Sequence, residues 1–247
     1  MSVLILALVA GAVVGLALGG LGGGGSVLAV PALIYLLGFS PVAATTASLI
    51  IVAATSISSL VAHARDGNVR WRSGLLFAAA GIGPAMLGGV AAGRIPAPVL
   101  TVAFSVIAAL AAWRMLRPSR PSPDHPPRPA RAAGAGAGLG AVTGVLGVGG
   151  GFLAVPALVG VLGLRMKAAV GTSLLVIIIN SLAALATRTG TADGLDWAII
   201  APFTGAAILG AWDGKRLAAK ISGNRLQHVF AYVLLAVAAF MLLDTLV

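Results

Sequence analysis

From Met1 to Ala62 the chain carries no charged side chain. A soluble fold must wet its surface, and nothing in that stretch can do so. Further uncharged runs cover Ser73–Gly93, Ile95–Trp113, Ala132–Leu164, Ala168–Thr187, Trp197–Trp212 and Leu226–Leu243. Most approach the ~20 apolar residues that cross a bilayer as a helix rising about 1.5 Å per residue. Composition agrees: 59% of the 247 residues are hydrophobic and 9% charged, against about 45–50% and about 25% in soluble domains. These runs predict an all-α polytopic membrane protein. The opening segment has no basic region before its apolar run, so it reads as a first membrane element rather than a cleaved signal.

A formal charge of +10 would suggest nucleic acid in a soluble protein. Here the cations lie almost entirely between apolar spans, where they face cytoplasm and anionic headgroups. The expected partners are therefore the lipid bilayer and not nucleic acid. With no cysteine, disulfides, thiolate metal sites and a cysteine nucleophile are excluded.

The chain repeats itself. Residues 21–33, LGGGGSVLAVPAL, match residues 146–158, LGVGGGFLAVPAL, at ten of thirteen positions. The match continues from 38–56 to 163–181, and Trp71 corresponds to Trp197 after a one-residue insertion. Residues 1–116 form a first membrane repeat and 132–247 a second. Between them, RPSRPSPDHPPRPAR at 117–131 is too polar and proline-rich to cross lipid, and reads as an extended linker.

Each half holds five expected elements. In the first they are Val3–Leu18, Val27–Phe39, Pro41–Ala62, Ser73–Gly93 and Pro98–Leu116. In the second they are Ala132–Val148, Phe152–Leu164, Lys167–Arg188, Trp197–Gly214 and Arg225–Leu246. The second element of each half has only thirteen residues, about 20 Å of helix against a core of about 30 Å. It either crosses a thinned bilayer or turns back as a re-entrant segment, giving 8–10 membrane helices in all. The arginine-rich linker is expected in the cytoplasm, together with the loop of Arg65, Arg70 and Arg72. In the second half the basic loop is instead the next one, with Lys215, Arg216, Lys220 and Arg225. That exchange implies an odd number of crossings per half. It predicts inverted-topology repeats with both termini outside.

The glycine clusters sit inside these apolar runs. Irregular backbone at membrane depth is tolerated only where protein buries it or a wet cavity meets it. A glycine run ends one helix, and Ser26 or Gly151 begins another whose first amides can receive an anion. Inversion would bring one such start to the midplane from each side. Candidate substrate-binding residues are Gly24, Gly25, Ser26, Gly149, Gly150 and Gly151, with Thr45, Thr46, Thr172, Ser173 and Asn180 on the third element of each half. Pro31 and Pro156 are expected to kink the short elements as structural residues. Small residues that only let helices approach closely would produce a similar pattern.

Other chemistry finds little support. Residues 20–25 match G-x-G-x-x-G formally, but no acidic residue follows at the distance a dinucleotide site needs, and no P-loop lysine is present. A membrane enzyme acting on a lipid or prenyl phosphate is the alternative function, but it would need an acid, base or metal cluster at depth. His63, His125 and His228 are scattered, and the six acidic residues lie mostly in loops or at helix ends. No cofactor or catalytic residue is implied.

The paired glycine–VPxL words followed by AVGTSL at 169–174 resemble the sulfite exporter TauE/SafE family, also called the toluene-sulfonate uptake permease family. The resemblance spans both halves apart from the linker. The first half departs from it, with Thr46, Ala47 and Ser26 where the second has Gly171, Thr172 and Gly151. The resemblance implies an inner-membrane permease, not an enzyme, moving a small inorganic or organic anion such as sulfite or an organosulfonate. A homo-oligomer is compatible with it.

No carboxylate lies mid-span, so proton coupling has no evident carrier. Asp213 is expected to form an interfacial ion pair near Lys215 and Arg216. His63 and His228 are expected at the interface, and Arg94 and Arg188 at helix ends, where they snorkel or draw anions to an entrance.

Overall fold

The computed structural model describes residues 2–92, 95–116, 129–146, 151–188 and 195–246. Among them the chain is helical, with no strand. The first half comprises α1 (Ser2–Leu21), a 3-10 turn (Gly22–Gly25), α2 (Ser26–Pro31) widening into a π-turn (Ala32–Leu36), α3 (Pro41–Arg65), α4 (Trp71–Ala92) and α5 (Ala97–Leu116). The second comprises α6 (Pro129–Leu146), α7 (Gly151–Gly160), α8 (Met166–Ala186), α9 (Trp197–Ala219) and α10 (Gly223–Leu246). The expected elements are therefore present, within a few residues at their ends. Most of the linker, 117–128, lies outside the described residues.

Among the described residues, five helices are long and apolar enough to cross a bilayer: Val3–Leu21, Pro41–Arg65, Trp71–Ala91, Met166–Ala186 and Gly223–Leu243. The most apolar windows of α3 and α8 are 61% and 67% buried, against 39–44% for the other three. These two helices form the centre of the bundle. Large apolar side chains such as Leu76, Leu87, Leu209 and Leu243 point outward, as a lipid-facing surface requires.

Glycines set how the outer helices dock. A Cβ on Gly11, Gly15 or Gly19 of α1 would collide with the carbonyl of Phe203, Ala207 or Ala211 on α9. A Cβ on Gly136, Gly140 or Gly144 of α6 would collide with that of Phe77, Gly81 or Ala85 on α4. Lipid gives helices no hydrophobic reason to associate, so close van der Waals approach must do it. Glycine Cα–H groups set against facing carbonyls add weak hydrogen bonds of about 0.5–1 kcal/mol each. The two seams are copies: the α1 and α6 glycines lie 125 positions apart, and their α4 and α9 partners 126.

Directions follow from the same contacts. Numbers rise together along α1 and α9, and along α6 and α4, so both pairs run parallel. The central pair runs antiparallel: Gly171 near the start of α8 abuts His63 and Asn68 at the end of α3. At the other end, Arg188 beyond α8 donates to Thr45 near the start of α3. α5 and α10 are likewise antiparallel, with Gln227 donating to the Met115 carbonyl at 2.7 Å.

Two poles result. One gathers the α3–α4 turn, the start of α8, the end of α9 and the start of α10, tied by the Lys215–Asp66 ion pair at 2.8 Å and by the Trp212 indole on Ser58. It concentrates Arg65, Arg70, Arg72, Lys167, Lys215 and Arg225. The start of α1 and the end of α10 lie toward the opposite pole.

Candidate functional site

The glycine breaks of the two halves meet. α1 stops at Leu21 because Gly22 takes φ of +65°, a left-handed backbone that a residue with a Cβ rarely adopts. The chain then doubles back, so that a Cβ on Gly25 would strike Leu18. At the crossing, a Cβ on Gly23 would strike the Gly151 carbonyl, and one on Gly151 would strike Gly23 and Ile177. Only glycine lets these backbones touch. Gly24 lies within the same 3-10 turn, whereas Gly149 and Gly150 fall outside the described residues.

The Gly23 N–H points at the Ser173 hydroxyl, 3.4 Å away in the other half, and that hydroxyl donates to the Val170 carbonyl at 2.7 Å. Ser26 is the first residue of α2, and its hydroxyl donates to the Gly23 carbonyl at 2.7 Å. Thr172 accepts the Arg70 N–H at 3.0 Å, anchoring the start of α4. Thr45 and Thr46 both donate to the Val42 carbonyl and sit at the far pole, away from the crossing. Pro31 marks where α2 gives way to the π-turn, and Pro156 lies inside α7.

Asn180 is different. It is fully buried, and neither Nδ2 nor Oδ1 has a hydrogen-bond partner among the described residues. Its amide fills the space left by Gly81, where the Gly136 carbonyl also approaches. Ser173, Ile177 and Asn180 follow one face of α8, so Asn180 lies about two turns beyond Ser173. Ser48, Ser56 and Ser59 on α3 and Ser181 on α8 are also buried, with hydroxyls unpaired among the described residues. Native structures leave few buried polar groups unpaired, so each asks for an explanation.

Two residues expected at the interface are buried instead. His63 is 6% exposed, with Nε2 3.1 Å from the Gly19 carbonyl. A carbonyl only accepts, which assigns the proton to Nε2. Arg188 is 7% exposed and does not snorkel; it donates to the Gly144 carbonyl at 2.7 Å and the Thr45 hydroxyl at 2.9 Å. Each holds a carbonyl of the last described turn of its helix, α1 or α6, where the final carbonyls of a helix have no partner within it. Burial pushes the Arg188 guanidinium down from its ordinary value, but arginine is basic enough to keep its charge. A signal for both was present in the sequence: His63 and Arg188 are 125 positions apart, as are Gly19 and Gly144. Asp213 pairs with Arg216 at 3.4 Å, while Lys215 pairs with Asp66. His228 contacts the Asn224 carbonyl within its own helix, and Arg94 lies outside the described residues.

Comparison with known proteins decides the family. The profile of the sulfite exporter TauE/SafE family matches residues 7–241. The chain belongs to the sulfite exporter TauE/SafE family. Two relatives, each named a probable membrane transporter protein, come from Xylella fastidiosa strains 9a5c and Temecula1. Each is 34% identical to this chain, over 97% of its length and 95% of theirs. The TauE/SafE chain is thus a multi-pass membrane transporter rather than an enzyme.

Proposed function

We propose that this protein is a permease for a small sulfur-containing anion, of the sulfite or organosulfonate class, in the bacterial inner membrane. The anion passes where the two glycine breaks cross. The observation that carries the reading is the contact of Gly23 with Gly151, two copies of one sequence word meeting inside a transporter bundle. Beside it, the Asn180 amide and the unpaired serine hydroxyls of α3 and α8 supply donors that a dry, finished core would not leave idle. A hydrated or anion-occupied path between α3 and α8 accounts for them.

In this reading the halves are inverted repeats. A two-fold axis in the membrane plane turns α3 antiparallel to α8 and α5 antiparallel to α10, while α1 and α9 run together. An axis along the membrane normal would make each self-pair parallel, which the contacts of Gly171 and Gln227 oppose. The basic pole faces the cytoplasm, so both chain ends face outside. An interior-negative potential then favours anion export by about 2.3 kcal/mol per charge per 100 mV. No mid-span carboxylate is needed. Purified protein in liposomes at matched pH, with an imposed potential alone, should conduct labelled sulfite or an organosulfonate. A potential that drives neither anion rejects the proposal.

A further inference from the structure

The helices that meet around Asn180 are uncharged where they meet. Its amide fills the space left by Gly81 of α4, beside the Gly136 carbonyl of α6. The only charged residues of α4, α6 and α8 are Arg72, Arg131 and Lys167, each in the first turn of its helix. α3, packed along α8, carries His63 and Arg65 in its last turn, and α7 carries no charge. At about 1.5 Å per residue, Lys167 lies about 20 Å from Asn180 along the helix, and Arg188 about 12 Å in the other direction. The buried groups left unpaired among the described residues between those ends are neutral: the Ser48, Ser56, Ser59 and Ser181 hydroxyls and the Asn180 amide.

Charge and hydrogen bonding together restrict what such a lining accepts. The cost of taking an ion out of water grows with the square of its charge, so a dianion costs about four times as much as a monoanion of equal size. Neutral dipoles offer it no counter-charge. An amide donates at one end and accepts at the other. Neither end of Asn180 is engaged among the described residues, so both are available whichever way the amide is turned. The sulfite dianion has only acceptors, and sets its lone pairs against Oδ1. Hydrogensulfite carries one charge, accepts from Nδ2 and donates its O–H to Oδ1.

We propose that the permeant form of sulfite is the hydrogensulfite monoanion, selected over the dianion by the Asn180 amide within an uncharged lining. The inference deepens the permease reading and rests on it. It also supplies a proton carrier where the helices have no carboxylate. One proton crosses on each hydrogensulfite and is released when that anion ionises to sulfite on the other side.

The full-length protein in liposomes, at equal pH inside and out and under an imposed inside-positive potential, tests this. Labelled sulfite uptake should fall several-fold from pH 6 to pH 8, as hydrogensulfite gives way to the dianion. Methanesulfonate, a monoanion throughout, should be carried equally at both. At pH 8 a trapped pH dye should record acidification with sulfite, above that of protein-free liposomes, and none with methanesulfonate. Asn180→Thr copies Thr55, whose hydroxyl is spent on its own helix. It should lower the ratio of sulfite to methanesulfonate flux at pH 6 several-fold, whereas a merely structural defect lowers both fluxes alike. Sulfite uptake that is equal or greater at pH 8 while methanesulfonate uptake holds, or an unchanged ratio in Asn180→Thr, overturns the inference and leaves the permease standing. If neither anion moves, the permease reading itself falls. Should Asn180→Thr fail to fold, the wild-type pH comparison decides.

Discussion

The last turn of α1 and the last turn of α6 are held in the same way by different chemistry. In the first half a histidine at 63 reaches the Gly19 carbonyl; in the second an arginine at 188 reaches the Gly144 carbonyl and adds Thr45. The glycine seams that flank these contacts match position for position, so the frame is symmetric and its end caps are not. The arginine is a permanent charge at the pole poor in cations. The histidine caps its turn at the pole rich in them. Duplication thus supplied a common scaffold, and divergence fell on the residues that close each end of it.

The largest expected effect tests the symmetric part. Gly15→Val and Gly140→Val each drive a branched side chain into a facing backbone that cannot yield. Overpacking commonly costs about 1–3 kcal/mol, and with backbone on both sides we expect the upper end or beyond for each. Both variants should lose the monodisperse peak in detergent chromatography. Gly138→Val, on the same helix as Gly140 but with nothing within 4 Å of an added Cβ, should behave as wild type. A mild Gly15→Val beside a severe Gly140→Val would mean that the seams do not bear equal loads.

The asymmetric caps come next. Arg188→Gln removes charge-assisted hydrogen bonds, each worth about 1.5–3 kcal/mol, and leaves the Gly144 carbonyl and Thr45 to find new donors. His63→Gln gives up one bond of about 1 kcal/mol. Thermal denaturation in detergent should therefore rank Arg188→Gln well below His63→Gln. Equal losses would show that the two residues cap alike, and the contrast between the two ends would lose its basis.

These caps show where sequence reading stops. The ten elements were legible because an uncharged run near span length has few other fates, and the repeat was legible because LAVPAL recurs. The burial of His63 and Arg188 was not, since a charged or titratable residue at the end of an apolar run ordinarily faces headgroups. Only the docking of α1 on α9 and of α6 on α4 brings the Gly19 and Gly144 carbonyls into position, and docking is a tertiary fact. The partner of the Gly23 N–H was no more legible: it is Ser173, from the other half. No local pattern contains that partner.

Ser173→Ala gauges this contact between the halves. It removes the acceptor facing the Gly23 N–H, a long contact at 3.4 Å, and at most about 1 kcal/mol of stability should be lost. The position equivalent to Ser173 in the first half is Ser48, 125 residues earlier, whose hydroxyl is buried and unpaired. Ser48→Ala should therefore leave the melting temperature unchanged or raise it. A larger loss from Ser48→Ala than from Ser173→Ala would reverse the assignment of which half anchors the crossing.

The smallest stability effect is expected at Asn180, and it says most about function. Its counterpart in the first half, Thr55, satisfies itself by donating to the Ile51 carbonyl at 2.7 Å, and the residue equivalent to Gly81 is Ala207. The first half has therefore given up a methyl, at Gly81, to house an amide of the second half that bonds to nothing among the described residues. An unpaired buried polar group costs about 1–3 kcal/mol, so a group kept only for packing would be better apolar. Asn180→Leu, similar in volume, should leave the melting temperature unchanged or higher, while Thr55→Val changes it little. If the amide serves the passing anion, Asn180→Leu stops sulfite or organosulfonate flux in liposomes and Thr55→Val does not. If Asn180→Leu conducts normally, or unfolds the protein, the amide has a structural purpose, and the path between α3 and α8 must run on the serine side alone.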